Sequence, residues 1–409
     1  MTAIESKCLS SMDKTIEFSK HSLKMDRTKE NFFFEVSFVL YLILKFLEIS
    51  TLDLAVYSIF CLVLQPVILV FIFIKIILQN DRILRLLLFA SVLMLVVVSW
   101  RTCGNANLVW LLLFCIAAKN ISICRIAKIV ICVSVCSIAL FAVLSFFGVL
   151  EDVVSFRLSG EERHSLGFSH PNTFGWCFLG VGLAFVIIRR DKPFLGDVFF
   201  LILLAVFNWL ITRSITSCTL ILVLALAWLL SLKSKKVKKR LRSVFLGSVL
   251  IAFIVASVFL AIIYDPSNEM LYQLNGFLSG RLNYSHYYWG QCTFDFFGKN
   301  WLTDVGDSAL VGHDGIVVDN AYLHVILVQG VGAALVFFVL LFWTCIKCGS
   351  FVEMSRAAAV LFIVLAFGLF ESAILSIAFS WIIFLPYCRE LKLKELDTAN
   401  DGVESGYLM

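Results

Sequence analysis

Four polar clusters interrupt an otherwise apolar sequence, and each holds residues that could handle a phosphate or a proton. They are Arg157 with the run Gly167-Phe168-Ser169-His170-Pro171-Asn172, then Thr212-Arg213-Ser214, Ser279-Gly280-Arg281, and Gly312 to Leu323 with His313, Asp319, Asn320 and Tyr322. A guanidinium can grip a phosphate through paired hydrogen bonds, which an ammonium cannot match. Arg281 follows a glycine able to make an unusual turn. It either takes an anionic ligand or pairs with one of the carboxylates between Tyr264 and Asp319, which far outnumber the two cations there, Arg281 and Lys299. Arg213 ends an apolar run, and either a lipid-linked diphosphate or the headgroup layer must compensate it. Arg157 and Arg163 are two further cations ahead of His170. Pro171 restricts His170 to an extended backbone, so its ring could meet a diphosphate or a sugar hydroxyl, while Asn172 suits a helix cap. Asp319 either caps the next helix or takes a proton from an attacking hydroxyl. His313 is a second candidate base. Glu371, between two apolar runs, is a lining residue or a plain loop acid.

The elements that must position these groups are membrane helices. Sixty per cent of the 409 residues are hydrophobic and 15% are charged, more apolar surface than a soluble core absorbs. Apolar runs of about 20 residues, the length that spans a hydrocarbon layer of about 30 Å, recur from Phe32 to Leu385. Backbone amides in lipid must pair within their own segment, so these runs predict helices. The spacing predicts twelve: Phe32 to Ile49, Leu54 to Leu78, Ile83 to Trp100, Leu108 to Ala118, Ile121 to Leu150, Thr173 to Ile188, Val198 to Thr212, Thr219 to Leu232, Ser243 to Ile263, Asn320 to Ile346, Ala357 to Phe370 and Ser372 to Tyr387. The first contains Glu35, Lys45 and Glu48, and several others are short for a full span.

Most of the 34 Lys and Arg residues fall in alternate loops and in the two tails. By the positive-inside rule both termini are expected in the cytoplasm, and the run from Lys233 to Arg242 anchors at lipid headgroups. This distribution accounts for the +5 charge without nucleic acid. The expected organisation is a tail over 1–31, one transmembrane domain over 32–388 and a tail over 389–409, with outer loops at 151–172 and 264–319. The longer loop is rich in aromatic rings that can lie at an interface or stack on sugars. Most of the 13 cysteines lie in apolar segments as small hydrophobes, and the Cys345-Cys348 spacing is weak evidence for metal or redox chemistry. No P-loop, GxSxG or HExxH motif is present, which argues against ATP hydrolysis, serine hydrolysis and zinc chemistry.

The series Arg157-Leu158, Gly167 to Asn172, Thr212-Arg213-Ser214, Ser279-Gly280-Arg281 and Asp319-Asn320-Ala321-Tyr322-Leu323 with Gly330 downstream resembles bacterial O-antigen and capsular polysaccharide polymerases. The likeness covers about Arg157 to Gly330. The related O-antigen ligases typically carry a histidine where this chain has Asp319, so the position favours polymerase. The resemblance implies an all-α, GT-C-like glycosyltransferase of the bacterial inner membrane. Its substrates would be undecaprenyl-diphosphate-linked oligosaccharides at the periplasmic face, with a chain-length regulator and a flippase nearby and no metal or other cofactor. Arg213 and Arg281 would hold the leaving diphosphate. Asp319 or His313 would orient or deprotonate the acceptor, with Arg157, His170, Asn172, Asn320 and Tyr322 contacting substrate. A ligase and a lipid-linked oligosaccharide flippase or other transporter are the alternatives. Transporters commonly show internal repeats and mid-membrane charges, and neither is evident in this sequence.

Overall fold

Apolar segments fold as helices wherever the backbone has no water to bond, and the chain follows this rule almost throughout. The computed structural model describes residues 30–79, 81–156, 160–189, 194–231, 239–291, 294–299, 318–350 and 355–388. Helix α1 covers 30–48, followed by α2 (Leu54–Leu78), α3 (Ile83–Cys103), α4 (Asn107–Ala117) and α5 (Ile123–Phe146). A two-stranded hairpin pairs β1 (Ser155–Phe156) with β2 (Glu162–Arg163). Then come α6 (Pro171–Ile188), α7 (Leu195–Thr212), α8 (Ile215–Ser231) and α9 (Lys239–Ile263). The short helices α10 (Glu269–Phe277) and α11 (Arg281–Gln291) precede α12 (Ala321–Leu327), α13 (Val331–Ser350) and α14 (Ser355–Gly368).

Seven helices among the described residues are long and apolar enough to cross a membrane: α2, α3, α5, α6, α7, α9 and α13. Three shorter apolar helices, α4, α8 and α14, pack among them. Large hydrophobic side chains such as Leu62, Leu84, Phe146 and Val339 point outward. Only lipid can cover so many of them, so the protein is a membrane-embedded helical bundle.

Helix α1 shows how a segment with four charges joins such a bundle. Its inner face buries Phe34, Phe38, Tyr41 and Leu42, against Trp110 and Phe114 of α4. Its charges find partners: Glu30 with the buried Lys75, Glu35 with Arg125 at 2.5 Å, and Lys45 with Glu48 and Asn107 Oδ1, both at 2.7 Å.

Two expected helices are broken instead. The run expected as one helix from Asn320 to Ile346 is divided into α12 and α13 by a turn at Val328 to Gly330. Gly330 has φ +92°, and the segment 294–299 lies across the turn. Lys299 N–H donates to the Val328 carbonyl at 3.0 Å, Val331 N–H to Asp295 at 3.1 Å and Gly332 N–H to Phe296 at 2.9 Å. The Ser372 to Tyr387 run is a 3-10 turn (Ser372–Leu375), a single α turn (Ile377–Ser380) and a second 3-10 turn (Trp381–Phe384). Irregular backbone at membrane depth persists only where protein covers it, and Ile374, Leu375, Trp381, Ile382, Ile383, Phe384 and Leu385 are all buried.

Candidate functional site

The turn before α11 is the first determinant of the site. Ser279 and Gly280 both adopt left-handed backbone, with φ +56° and +85°, so the chain reverses sharply out of α10 and Arg281 opens α11. The second determinant is the start of α12. Asn320 caps that helix by accepting from the Tyr322 and Leu323 amides at 3.0 and 3.1 Å. Its amide nitrogen donates to Ser257 Oγ at 2.8 Å and to the Leu369 carbonyl at 3.1 Å, tying α12 to α9 and to the end of α14. Because Asn320 does the capping, Asp319 is released to face Arg281.

Arg281 Nε donates to Asp319 Oδ2 at 2.8 Å, and its Nη2 donates to Glu371 Oε1 at 2.6 Å. The Arg281 side chain is 16% exposed, Asp319 31% and Glu371 3%. Three distant stretches of chain therefore meet in one cluster at the end of the bundle where α11, α12 and the α14 terminus converge. Of the two alternatives for Arg281, the salt bridge to a loop carboxylate is present in the fold, and a second carboxylate shares the guanidinium.

Two carboxylates on one cation cannot both be neutralised by it. Burial is the largest influence on Glu371 and raises its pKa. Arg281 pulls the other way, the nearby Asp319 charge adds to the rise, and the balance lies above the usual carboxylate range. Burial alone would lower the Arg281 pKa, but Glu371 and Asp319 outweigh it and hold the guanidinium more firmly charged. Of the five N–H donors of an arginine, those on Nη1 and the second on Nη2 are not committed to the two carboxylates. The site thus presents an oriented, partly exposed guanidinium with donors to spare.

A polar cavity of about 150 Å³ adjoins the cluster, lined by Lys45, Asn107, Trp176, His324 and Ser372 among others. Ser372 follows Glu371 directly, and the Trp176 indole lies beside Glu371. The indole N–H of Trp176 is directed at the Glu371 carboxyl, and Nε2 of His324 is buried without a hydrogen bond. Buried polar groups of this kind are uncommon in folded proteins and call for an explanation.

A second group surrounds the start of α6. His170 is extended, with φ −158°, as Pro171 requires, and its Nδ1 accepts from the Asn172 amide at 3.0 Å. His170 is therefore the cap, not Asn172. The Asn172 side chain is turned to Arg163, whose guanidinium donates to it and to the Thr212 carbonyl, the latter at 3.0 Å. Thr212 and its neighbours are held by a buried network in which Asn208 donates to Ser217 at 3.0 Å and Thr212 Oγ1 donates to Asn208 Oδ1 at 2.8 Å. Arg213 ends α7 in left-handed backbone, φ +49°, with its guanidinium 5.5 Å from the Trp209 ring centre. Asn172 and Trp176 stand four residues apart on α6, one above the other on the same face. One helix thus links the Arg163 and Arg213 group to the Arg281 cluster.

Tyr322 lies deeper than a substrate contact would. It is fully buried, and its hydroxyl donates to the Leu365 carbonyl at 2.7 Å, so it fixes α12 against α14. Arg157 and His313 lie outside the described residues. Among the described residues, no group of three or more His, Cys, Asp or Glu side chains is placed to hold a metal ion. Cys345 and Cys348 are buried, free thiols.

Sequence reasoning left Glu371 open and passed over Trp176 and His324. A usable signal existed for His324, which lies one helical turn after Asn320 and so shares a face with it. Glu371 carried only the signal of a lone acid between two apolar runs. The chain matches no protein-family model, no curated protein and no solved structure.

Proposed function

We propose that this protein is a membrane glycosyltransferase that joins lipid-diphosphate-linked oligosaccharide repeat units, in the manner of the O-antigen and capsular polysaccharide polymerases its motifs resemble. The observation that carries the reading is the Arg281–Asp319–Glu371 cluster, an oriented guanidinium between two carboxylates at the end of a membrane bundle, beside a polar cavity with aromatic lining. On this reading the bundle crosses the bacterial inner membrane about twelve times, counting α1 and the short or broken segments, and the cluster faces the periplasm.

In the proposed reaction the bond between the anomeric carbon of the growing chain and its diphosphate breaks, and a bond from that carbon to an acceptor hydroxyl oxygen forms. The electron pair leaves with the diphosphate. Arg281 supports that developing charge through donors its carboxylates leave uncommitted, and Arg213 and Arg163 add positive charge along α6. Preorganised cations of this sort stabilise charge where it develops, at no reorganisation cost during the reaction. A protonated Glu371 suits this role, because a second ionised carboxylate would cancel the cation. Asp319 takes the acceptor proton, and the cavity of Trp176 and His324 receives the acceptor sugar, with the ring stacked on indole.

The test is deletion of the gene in its native host, followed by gel analysis of surface polysaccharide with wild type, Arg281→Ala and Asp319→Ala restored. A single-repeat glycan in the deletion strain that only wild type extends to a ladder supports a polymerase using both residues. Complete loss of attached glycan points to a ligase or flippase, and an unchanged ladder overturns the polysaccharide reading.

A further inference from the structure

A larger concavity lies toward the other end of the bundle. It has a volume of about 690 Å³ and sits between α3, α4 and α13, with Pro386 and Tyr387 closing one side. Helix α13 leaves the Arg281 end at Val331, and Lys347 on the wall of this groove is about 24 Å further along at 1.5 Å per residue. Most of the groove is apolar: Leu88, Val92, Leu335, Val339 and Trp343 line it, and Leu88, Leu335 and Val339 are each more than half exposed. It therefore opens sideways, toward the hydrocarbon.

Its polar end is different. Arg85, Lys119 and Lys347 line it with Asp81 as the one acid. Lys119 Nζ at 2.6 Å and Arg85 Nη1 at 2.7 Å share the same oxygen of Asp81, while the other oxygen, Oδ2, is buried without a hydrogen bond. One carboxylate thus answers two cations, and Lys347 stands on the same wall, with its ammonium 5.5 Å from the Trp343 ring centre. The surplus positive charge sits at the mouth of an apolar trough. From Leu335 to Lys347 the trough runs about 18 Å, slightly more than one leaflet of a hydrocarbon core about 30 Å thick.

We propose that this groove is a binding site for an anionic glycerophospholipid of the surrounding bilayer, with its phosphate among Arg85, Lys119 and Lys347 and an acyl chain along Leu88, Val92, Leu335 and Val339. The excess positive charge selects an anionic headgroup over a zwitterionic one, which brings no net charge to match it. The basic end is also the end that the positive-inside rule assigns to the cytoplasmic leaflet, where anionic lipids concentrate. The site stands whatever reaction the Arg281 cluster carries.

The full-length protein, purified in detergent, is titrated with dioleoyl phosphatidylglycerol and with dioleoyl phosphatidylcholine, and bound lipid is counted by native mass spectrometry. Wild type should retain phosphatidylglycerol in preference. Lys347→Gln leaves both Asp81 pairs intact and should weaken phosphatidylglycerol binding roughly fivefold, leaving phosphatidylcholine unchanged. Val339→Trp fills the trough and should reduce retention of both lipids, while Arg101→Gln, outside the groove, should match wild type. Equal retention of the two lipids by wild type overturns the proposal, as does wild-type binding in Lys347→Gln or in Val339→Trp.

Discussion

Replacing Gly330 with Ala tests how the break between α12 and α13 is held in place. A Cβ on Gly330 would lie 2.2 Å from the Gly298 nitrogen and 2.7 Å from both the Phe296 oxygen and the Phe297 carbonyl carbon. All three are backbone atoms, so no side chain can swing aside, and the segment 294–299 must move. The left-handed backbone at φ +92° adds about 1–2 kcal/mol for a residue with a side chain. Displacement also breaks the three hydrogen bonds that join Asp295, Phe296 and Lys299 to the turn, at about 0.5–1.5 kcal/mol each. The total is roughly 2.5–6.5 kcal/mol, capped at the cost of undocking this segment alone. Hydrogen exchange in detergent micelles reads it directly: the Lys299, Val331 and Gly332 amides should lose protection by about two orders of magnitude or more, with a lower melting temperature. Gly276→Ala is the control, since nothing lies within 4 Å of a Cβ there, and it should cost nothing. Unchanged protection at those three amides in Gly330→Ala would refute the docking that the fold assigns to this turn.

Other perturbations probe the cluster and its supports. Tyr322→Phe removes a buried hydrogen bond to the Leu365 carbonyl and should destabilise the protein by about 0.5–1.5 kcal/mol, read as a fall in melting temperature. Glu371 has a raised pKa in the fold, so its contribution is fully present below the unfolded value of 4.5 and is lost as pH rises through the folded one. Wild type should therefore lose stability relative to Glu371→Gln as pH increases above 5, and parallel melting curves for the two across pH 5–9 would contradict this sign. Asp152 behaves oppositely. Burial raises its pKa, but bonds from His164 and from the Ser165 and Leu166 amides outweigh that and depress it. Its stabilisation of the loop before α6 should persist at neutral pH and disappear only as pH falls below the unfolded carboxylate value of 3.8, which limited proteolysis of the loop across an acid series would show.

The helical membrane architecture was legible because lipid leaves the backbone few alternatives. Leu54 to Leu78 begins and ends where the apolar run does, since Asp53 accepts from the amides of Ala55 and Val56 at one end and polar residues follow at the other. The breaks at Val328 to Gly330 and after Glu371 were not legible. Both depend on protein from elsewhere in the chain covering irregular backbone, and hydropathy carries no record of that contact. At the site, Arg281 and Asp319 were found by type and position, and the Gly280 turn by its glycine. The capping roles were exchanged between neighbours, His170 for Asn172 and Asn320 for Asp319, because each pair offers two acceptors and tertiary contacts choose between them. Glu371 was undervalued for the same reason. Its importance comes from the 2.6 Å contact to a residue 90 positions away.

The most direct measurement uses the purified protein in proteoliposomes, supplied with a polyprenyl-diphosphate-linked oligosaccharide repeat from its host, with the lipid-linked products resolved by mass spectrometry. Wild type should yield lipid-linked products of two or more repeats together with released polyprenyl diphosphate. Arg281→Lys keeps the charge but loses the two-carboxylate geometry, and should slow this at least tenfold while the protein stays folded by its melting curve. Absence of any elongated product from folded wild-type protein, or an Arg281→Lys rate equal to wild type, would contradict the central claim.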